Sequence, residues 1–171
     1  MAMQYDVKQA HLNQSGFFVK FRTRVKGVSF FGGGGDLVLF DTTTAPVSAN
    51  VTYERASTLV TVTKTAHGLA TGDTVGIHFN TASGVSATDG NYPITRLTAN
   101  TFTLTDINSG TVANTATAVY VSGANRWLMT YETQASDEYQ NAPIIPGEGV
   151  LAANGVYAHM VDIDSAQIYY G

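Results

Sequence analysis

Apolar residues recur in this chain at every second position in short runs, and no long segment repeats them at helical spacing, so the sequence is constrained to fold as strands. Leu59-Val60-Thr61-Val62-Thr63-Lys64 and Thr74-Val75-Gly76-Ile77-His78-Phe79 show the pattern; Trp127–Glu132, Val156–Ile163 and Ala166–Tyr170 also read as strands. Turn-forming residues separate the runs: Gly32-Gly33-Gly34-Gly35, Asp41–Pro46, Asp89-Gly90-Asn91 and Asn154-Gly155, the last being the strongest two-residue hairpin signal. Threonine, tyrosine and phenylalanine are abundant, which favours a pleated, half-buried surface. With 44% hydrophobic and 13% charged residues in 171, the chain can bury a core. The expected fold class is all-β, a β-sandwich or barrel-like host domain with a small inserted β-module.

The centre of the chain carries the most distinctive pattern. His67-Gly68-Leu69 is followed by Thr71-Gly72-Asp73-x-Val75, then Asp89-Gly90-Asn91-Tyr92-x-Ile94, then Asn100-Thr101-Phe102-Thr103-Leu104. In this order the motifs resemble a β-barrel-like module that recurs in tailed-bacteriophage virion proteins, over residues 57 to 121. Ile145-Pro146-Gly147-Glu148-Gly149-Val150 and the ending Ser165–Gly171 are similar to small structural proteins of marine and cyanobacterial phages. The resemblance implies a structural virion protein of the capsid decoration or cement type, assembled in the host cytoplasm. Its implied partners are the major capsid protein of a phage shell and further copies of itself, a trimer being expected. A tail adaptor, a fibre-associated subunit and a host-glycan-binding module are the alternatives.

Turn-forming segments flank the central region, and the strands outside it share one texture. Residues 1–53 plus 124–171 are therefore expected to form a split host domain, and residues 54–123 the insertion. Trp127 is the expected core anchor of the host domain's second half. Gly68 and Gly72 supply backbone angles for the module turn, Asp73 bonds neighbouring amides, and His67 hydrogen-bonds the same turn.

Charge is unevenly distributed. The net charge is -4, yet residues 1–31 hold Lys8, Lys20, Arg22, Arg24 and Lys26 against Asp6 alone. Unbroken alternation from Phe17 to Lys26 places Phe17, Val19, Phe21, Thr23 and Val25 on one face and Phe18, Lys20, Arg22, Arg24 and Lys26 on the other, a core face and a basic stripe. Lys20, Arg22, Arg24 and Lys26, together with Pro143, Ile144, Ile145 and Pro146, are the expected partner contacts. Nucleic acid is not expected, because the chain as a whole is acidic. Pro143 and Pro146 make their segment an extended edge.

Nothing in the sequence marks an enzyme. Without cysteine there is no thiolate metal site, disulfide or thiol nucleophile. His11, His67, His78 and His159 lack metal-site spacing, and Asp162 and Asp164 lack the remainder of a calcium loop, so they read as surface acids facing the basic stripe of this or a neighbouring chain. The tetraglycine lacks the Lys-Ser/Thr ending and following helix of a phosphate loop and reads as a flexible hairpin tip. No catalytic residue, metal or cofactor is expected. The start has no secretory h-region and no run is apolar enough to span a membrane, which predicts a protein kept in a cytoplasm unless it leaves within a particle.

Overall fold

The computed structural model describes residues 7–81, 83–132 and 145–171, and every regular element among them is a strand. In chain order these are β1 (Lys8–Leu12), β2 (Gly16–Val19), β3 (Thr23–Phe31), β4 (Asp36–Asp41), β5 (Thr52–Thr63), β6 (Thr74–Phe79), β7 (Gly90–Pro93), β8 (Thr95–Arg96), β9 (Thr101–Ser122), β10 (Arg126–Glu132), β11 (Val150–Ala152), β12 (Val156–Val161) and β13 (Ser165–Tyr170). The protein is all-β. It forms two compact units, Met1–Ala45 with Leu128–Gly171, and Pro46–Trp127.

The first unit is a sandwich of two four-stranded sheets, ordered β1-β13-β3-β11 and β10-β4-β12-β2. Val25, Val28, Phe30 and Ile168 from one sheet share a buried cluster with Phe18, Leu37, Leu39 and Val156 from the other. Each such side chain contributes about 1.5–3 kcal/mol on leaving water. Trp127 is not in this core; it is half-buried at the end of the other unit.

Two turns expected as hairpins are arches between the sheets. The tetraglycine joins β3 to β4, which lie in different sheets, and its two ends are tightly fitted: a Cβ on Gly35 would clash with the carbonyl oxygen of Val161. Asn154-Gly155 joins β11 to β12, again across the sandwich, and neither residue takes the positive φ of a type I′ turn. The buried Asp41 carboxylate shapes this arch instead. It accepts the amide of Ala153 at 2.9 Å, of Asn154 at 2.7 Å and of Gly155 at 3.3 Å.

The second unit is built on β9. β5 pairs along most of its length, from Thr63 opposite Thr101 to Thr52 opposite Thr117, while β6 pairs its end from Val75 opposite Ser122 to Phe79 opposite Ala118. β7 lies beyond β6, and β8 pairs β9 at Phe102 and Thr103. Its core contains Tyr53, Val60, Val62, Ile77, Tyr92, Phe102, Leu104 and Tyr120. The unit extends past the 54–123 span on both sides for identifiable reasons. Val47 and Tyr120 exchange backbone hydrogen bonds of 2.8 and 3.0 Å, Val51 is fully buried, and the Asn91 side chain bonds both the N–H and the C=O of Trp127.

Irregularities in β5 decide which residues turn inward. Tyr53 and Arg55 are buried at one parity, Val60 and Val62 at the other, because the register shifts between Ser57 and Leu59. Leu59 is consequently 50% exposed.

Candidate functional site

The alternation from Phe17 to Lys26 is not one strand. β2 ends at Val19 in one sheet and β3 begins at Thr23 in the other, so Lys20-Phe21-Arg22 crosses the end of the sandwich. The crossing alters the expected faces: Phe18 and Val19 are both buried, and Phe21, expected in the core, is 53% exposed. Lys20 and Arg22 are exposed; Arg24 and Lys26 are half-buried on β3.

Lys20 Nζ lies 4.4 Å over the Phe17 ring, which itself meets Tyr157 edge-on at 4.9 Å. Arg24 donates to the carbonyl of Gly149 at 3.2 Å and pairs with Glu148 at 3.3 Å. That pair is open to solvent and contributes little to stability.

The basic residues and the proline-bracketed segment do meet. Ile145 N–H donates to the Lys26 carbonyl at 2.9 Å, placing 145–149 along β3 as the lead-in to β11 at the edge of the sheet. Ile145 packs partly against the sandwich core, whereas Pro146 is exposed. Pro143 and Ile144 lie outside the described residues.

Sequence reasoning missed two members of this surface. Lys8 pairs in register with Tyr170 on β13, which brings Lys8, Phe21, Arg22, Thr23, Tyr170 and Gly171 around a shallow cleft of about 290 Å³. Phe21 and Tyr170 meet at 6.1 Å, their rings tilted by 58°, on its wall. Neither Lys8 nor Arg22 has an acidic partner among the described residues. The only signal in the sequence was composition, since Lys8 belongs to the same basic stretch, residues 1–31.

In the module turn His67 and Asp73 are engaged both within the turn and with the chain around Ile94 and Thr98. His67 Nδ1 accepts the Leu69 amide at 3.0 Å, so Nε2 carries the proton and donates to the Thr98 carbonyl at 3.1 Å. The ring also meets Phe102 edge-on at 5.3 Å. Gly68 and Gly72 have φ of 72° and 95°, a region costly for other residues. Asp73 accepts the Ala70 amide at 2.8 Å, and Gly72 and Asp73 exchange backbone bonds with Ile94, tying the turn to the end of β7. With both imidazole nitrogens committed, this turn has the chemistry of a structural clasp.

No family model, curated protein or solved structure matches this chain. Among the described residues no three His, Asp or Glu side chains gather as a metal-holding group, and no helix is long and apolar enough to cross a membrane. His78 Nδ1 donates to Asp89 at 2.7 Å, and the other Asp89 oxygen accepts the Phe79 amide at 2.8 Å. Such a pair could orient a catalytic base, but His78 is only 2% exposed and a substrate would not reach it.

Arg55 and Asp106 form a second buried pair, 3.0 Å apart with both side chains fully enclosed. Arg55 also donates to the carbonyls of Ser57, Val85, Ser86 and Asn108, and Asp106 accepts the amides of Thr88 and Asn108. The pair pins the 85–88 loop and the 106–108 bulge to β5.

Tyr92 lies beside this network and donates to the Thr88 carbonyl at 2.7 Å. Burial, reinforced by Asp106 and Asp89, pushes its phenol from 10.0 up to about 12; burial also raises Tyr53 and Tyr120. The folded state therefore holds the Tyr92 proton where the unfolded state releases it. Its stabilising effect is complete below pH 10 and is lost as pH rises toward 12. Urea midpoints measured from pH 8 to 11.5 should fall less steeply for Tyr92→Phe than for the parent; parallel curves would refute the assignment.

Proposed function

We propose that this chain is a non-enzymatic structural protein of a tailed-phage virion, a capsid decoration or cement protein that bridges neighbouring shell subunits. The observation that carries the reading is the division of roles between the two units. The residues of the phage-type motif, His67, Gly68, Gly72 and Asp73, shape a turn on a unit with its own core. The charged and aromatic surface is on the sandwich, at the crossing Lys20-Phe21-Arg22 and along Arg24, Lys26, Ile145 and Pro146. In this reading the sandwich docks and the module is displayed. A decoration protein that binds only the assembled shell stabilises it by mass action, with no chemical step.

Quantitative peptide mass spectrometry of purified particles tests it. A copy number within a few-fold of the major shell protein is expected. A ratio far lower would move the protein to a tail adaptor or fibre, and absence from particles would end the virion reading.

A further inference from the structure

Charge in the sandwich is segregated along its length. The register of β3 with β13 sets Phe31 opposite Ser165 at one end and Val25 opposite Tyr170 at the other. Thr23 and Phe31 bound β3, so the two ends are separated by about 26 Å of extended chain. Lys8, Lys20 and Arg22 lie at the Thr23 end, with Arg24 already matched to Glu148. The corner between β12 and β13, with exposed Asp162 and Asp164, lies at the Phe31 end, joined by Asp36, whose strand partner is Val161.

Each end also exposes a phenylalanine, Phe21 at 53% and Phe31 at 40%. The Asp164 amide donates to the Phe31 carbonyl at 2.9 Å, which fixes that acid beside that ring. One end is thus a cleft walled by Phe21 and Tyr170 and flanked by Lys8 and Arg22; the other is a narrow corner with an aromatic ring and two carboxylates. Neither Asp162 nor Asp164 has a cationic partner among the described residues.

We propose that the end carrying Lys8, Phe21, Arg22 and Tyr170 docks the opposite end, Phe31, Asp162 and Asp164, of a second copy of this chain. The contact is heterologous, joining two different surfaces, so it propagates head to tail and closes into a ring when the rotation allows. Charge complementarity selects the second copy as occupant, and burial of the two rings supplies the apolar centre that a rim of exposed ion pairs lacks. The contact rests on the virion reading only for the high local concentration of copies on a shell, and it is a property of the purified chain. It takes Phe21 and Arg22 from the shell-facing set and leaves Lys20, Arg24, Lys26, Ile145 and Pro146 there.

Sedimentation velocity of the purified full chain over a concentration series tests this contact at low and high salt. Association is expected at low salt and a shift to monomer at 0.5 M or so, where the Debye length falls to a few ångströms. Lys8→Glu with Arg22→Glu makes both ends acidic. Asp164→Lys with Asp162→Asn replaces both exposed carboxylates by a cation and a neutral residue, leaving Asp36 as the acid at that end, and keeps a residue that tolerates the left-handed φ of 51° at position 162.

Each variant alone should associate about tenfold or more weakly than the parent, and mixing the two should restore association, because each supplies the end the other needs. Unchanged circular dichroism spectra and melting temperatures would show that both still fold. A parent that stays monomeric at low salt overturns the proposal and returns the basic end to the shell. Association that persists in both variants overturns it too, by placing the contact elsewhere. Neither result bears on the copy number in particles, so the two readings fail separately.

Discussion

Replacing Arg55 by methionine should destabilise the Pro46–Trp127 unit by about 3–5 kcal/mol, among the largest effects of any single substitution in this chain. The reason is what stays behind. Asp106 would remain buried with its charge opposed only by the amides of Thr88 and Asn108, and the carbonyls of Ser57, Val85, Ser86 and Asn108 would each lose a donor. Asp106→Leu should cost a similar amount by stranding the guanidinium.

The double variant Arg55→Met with Asp106→Leu should cost clearly less than the two single losses combined, because neither charge is then stranded. Urea denaturation provides the three values, and hydrogen exchange should show protection lost first in β5, β9 and the 85–88 loop. Single-variant losses below about 1 kcal/mol would mean that water reaches the pair, contrary to its enclosure.

The second large effect belongs to the sandwich. Asp41→Ala removes the acceptor for three consecutive backbone amides in the arch from β11 to β12, and the cost should be about 3 kcal/mol. Gly155 is buried and its amide has little access to replacement water, whereas Ala153 is exposed and recovers part of its loss. Asp41→Asn keeps one carbonyl oxygen and should cost roughly half as much. Thermal melts of the three proteins give the ranking. Equal stability of Asp41→Ala and the parent would show that the arch is held by its own packing and not by the carboxylate.

Both effects involve residues that the sequence did not single out. Arg55 stands among Thr52, Tyr53, Glu54 and Ala56 as one charge in a strand, and only the β-bulges flanking it turn it inward. Asp41 opens a Thr-rich segment that reads as a turn, while its partners lie 112 positions away. By contrast the module turn was legible in detail. The φ of Gly68 and Gly72, the His67 bond to Leu69 and the Asp73 bond to Ala70 are local properties, whereas the ties to Thr98 and Ile94 were not visible. The basic surface was half legible. Its charges were visible, but the break at Lys20–Arg22 was not, because alternation continues through a chain that changes sheets.

The sequence by itself therefore determined that the chain is all strand and turn, where most strands lie, and which central turn the glycines and Asp73 shape. Period-2 alternation, β-branched content and turn chemistry are short-range, and they survive without knowledge of neighbours. Only the tertiary structure decided which strands pair. It made the tetraglycine and Asn154-Gly155 arches between sheets, placed Lys8 beside Tyr170, and buried Arg55 against Asp106. Alternation tells a residue which face it occupies. It does not name the strand across the gap, and that choice rests on the packing and hydrogen-bond satisfaction of side chains far apart in the chain.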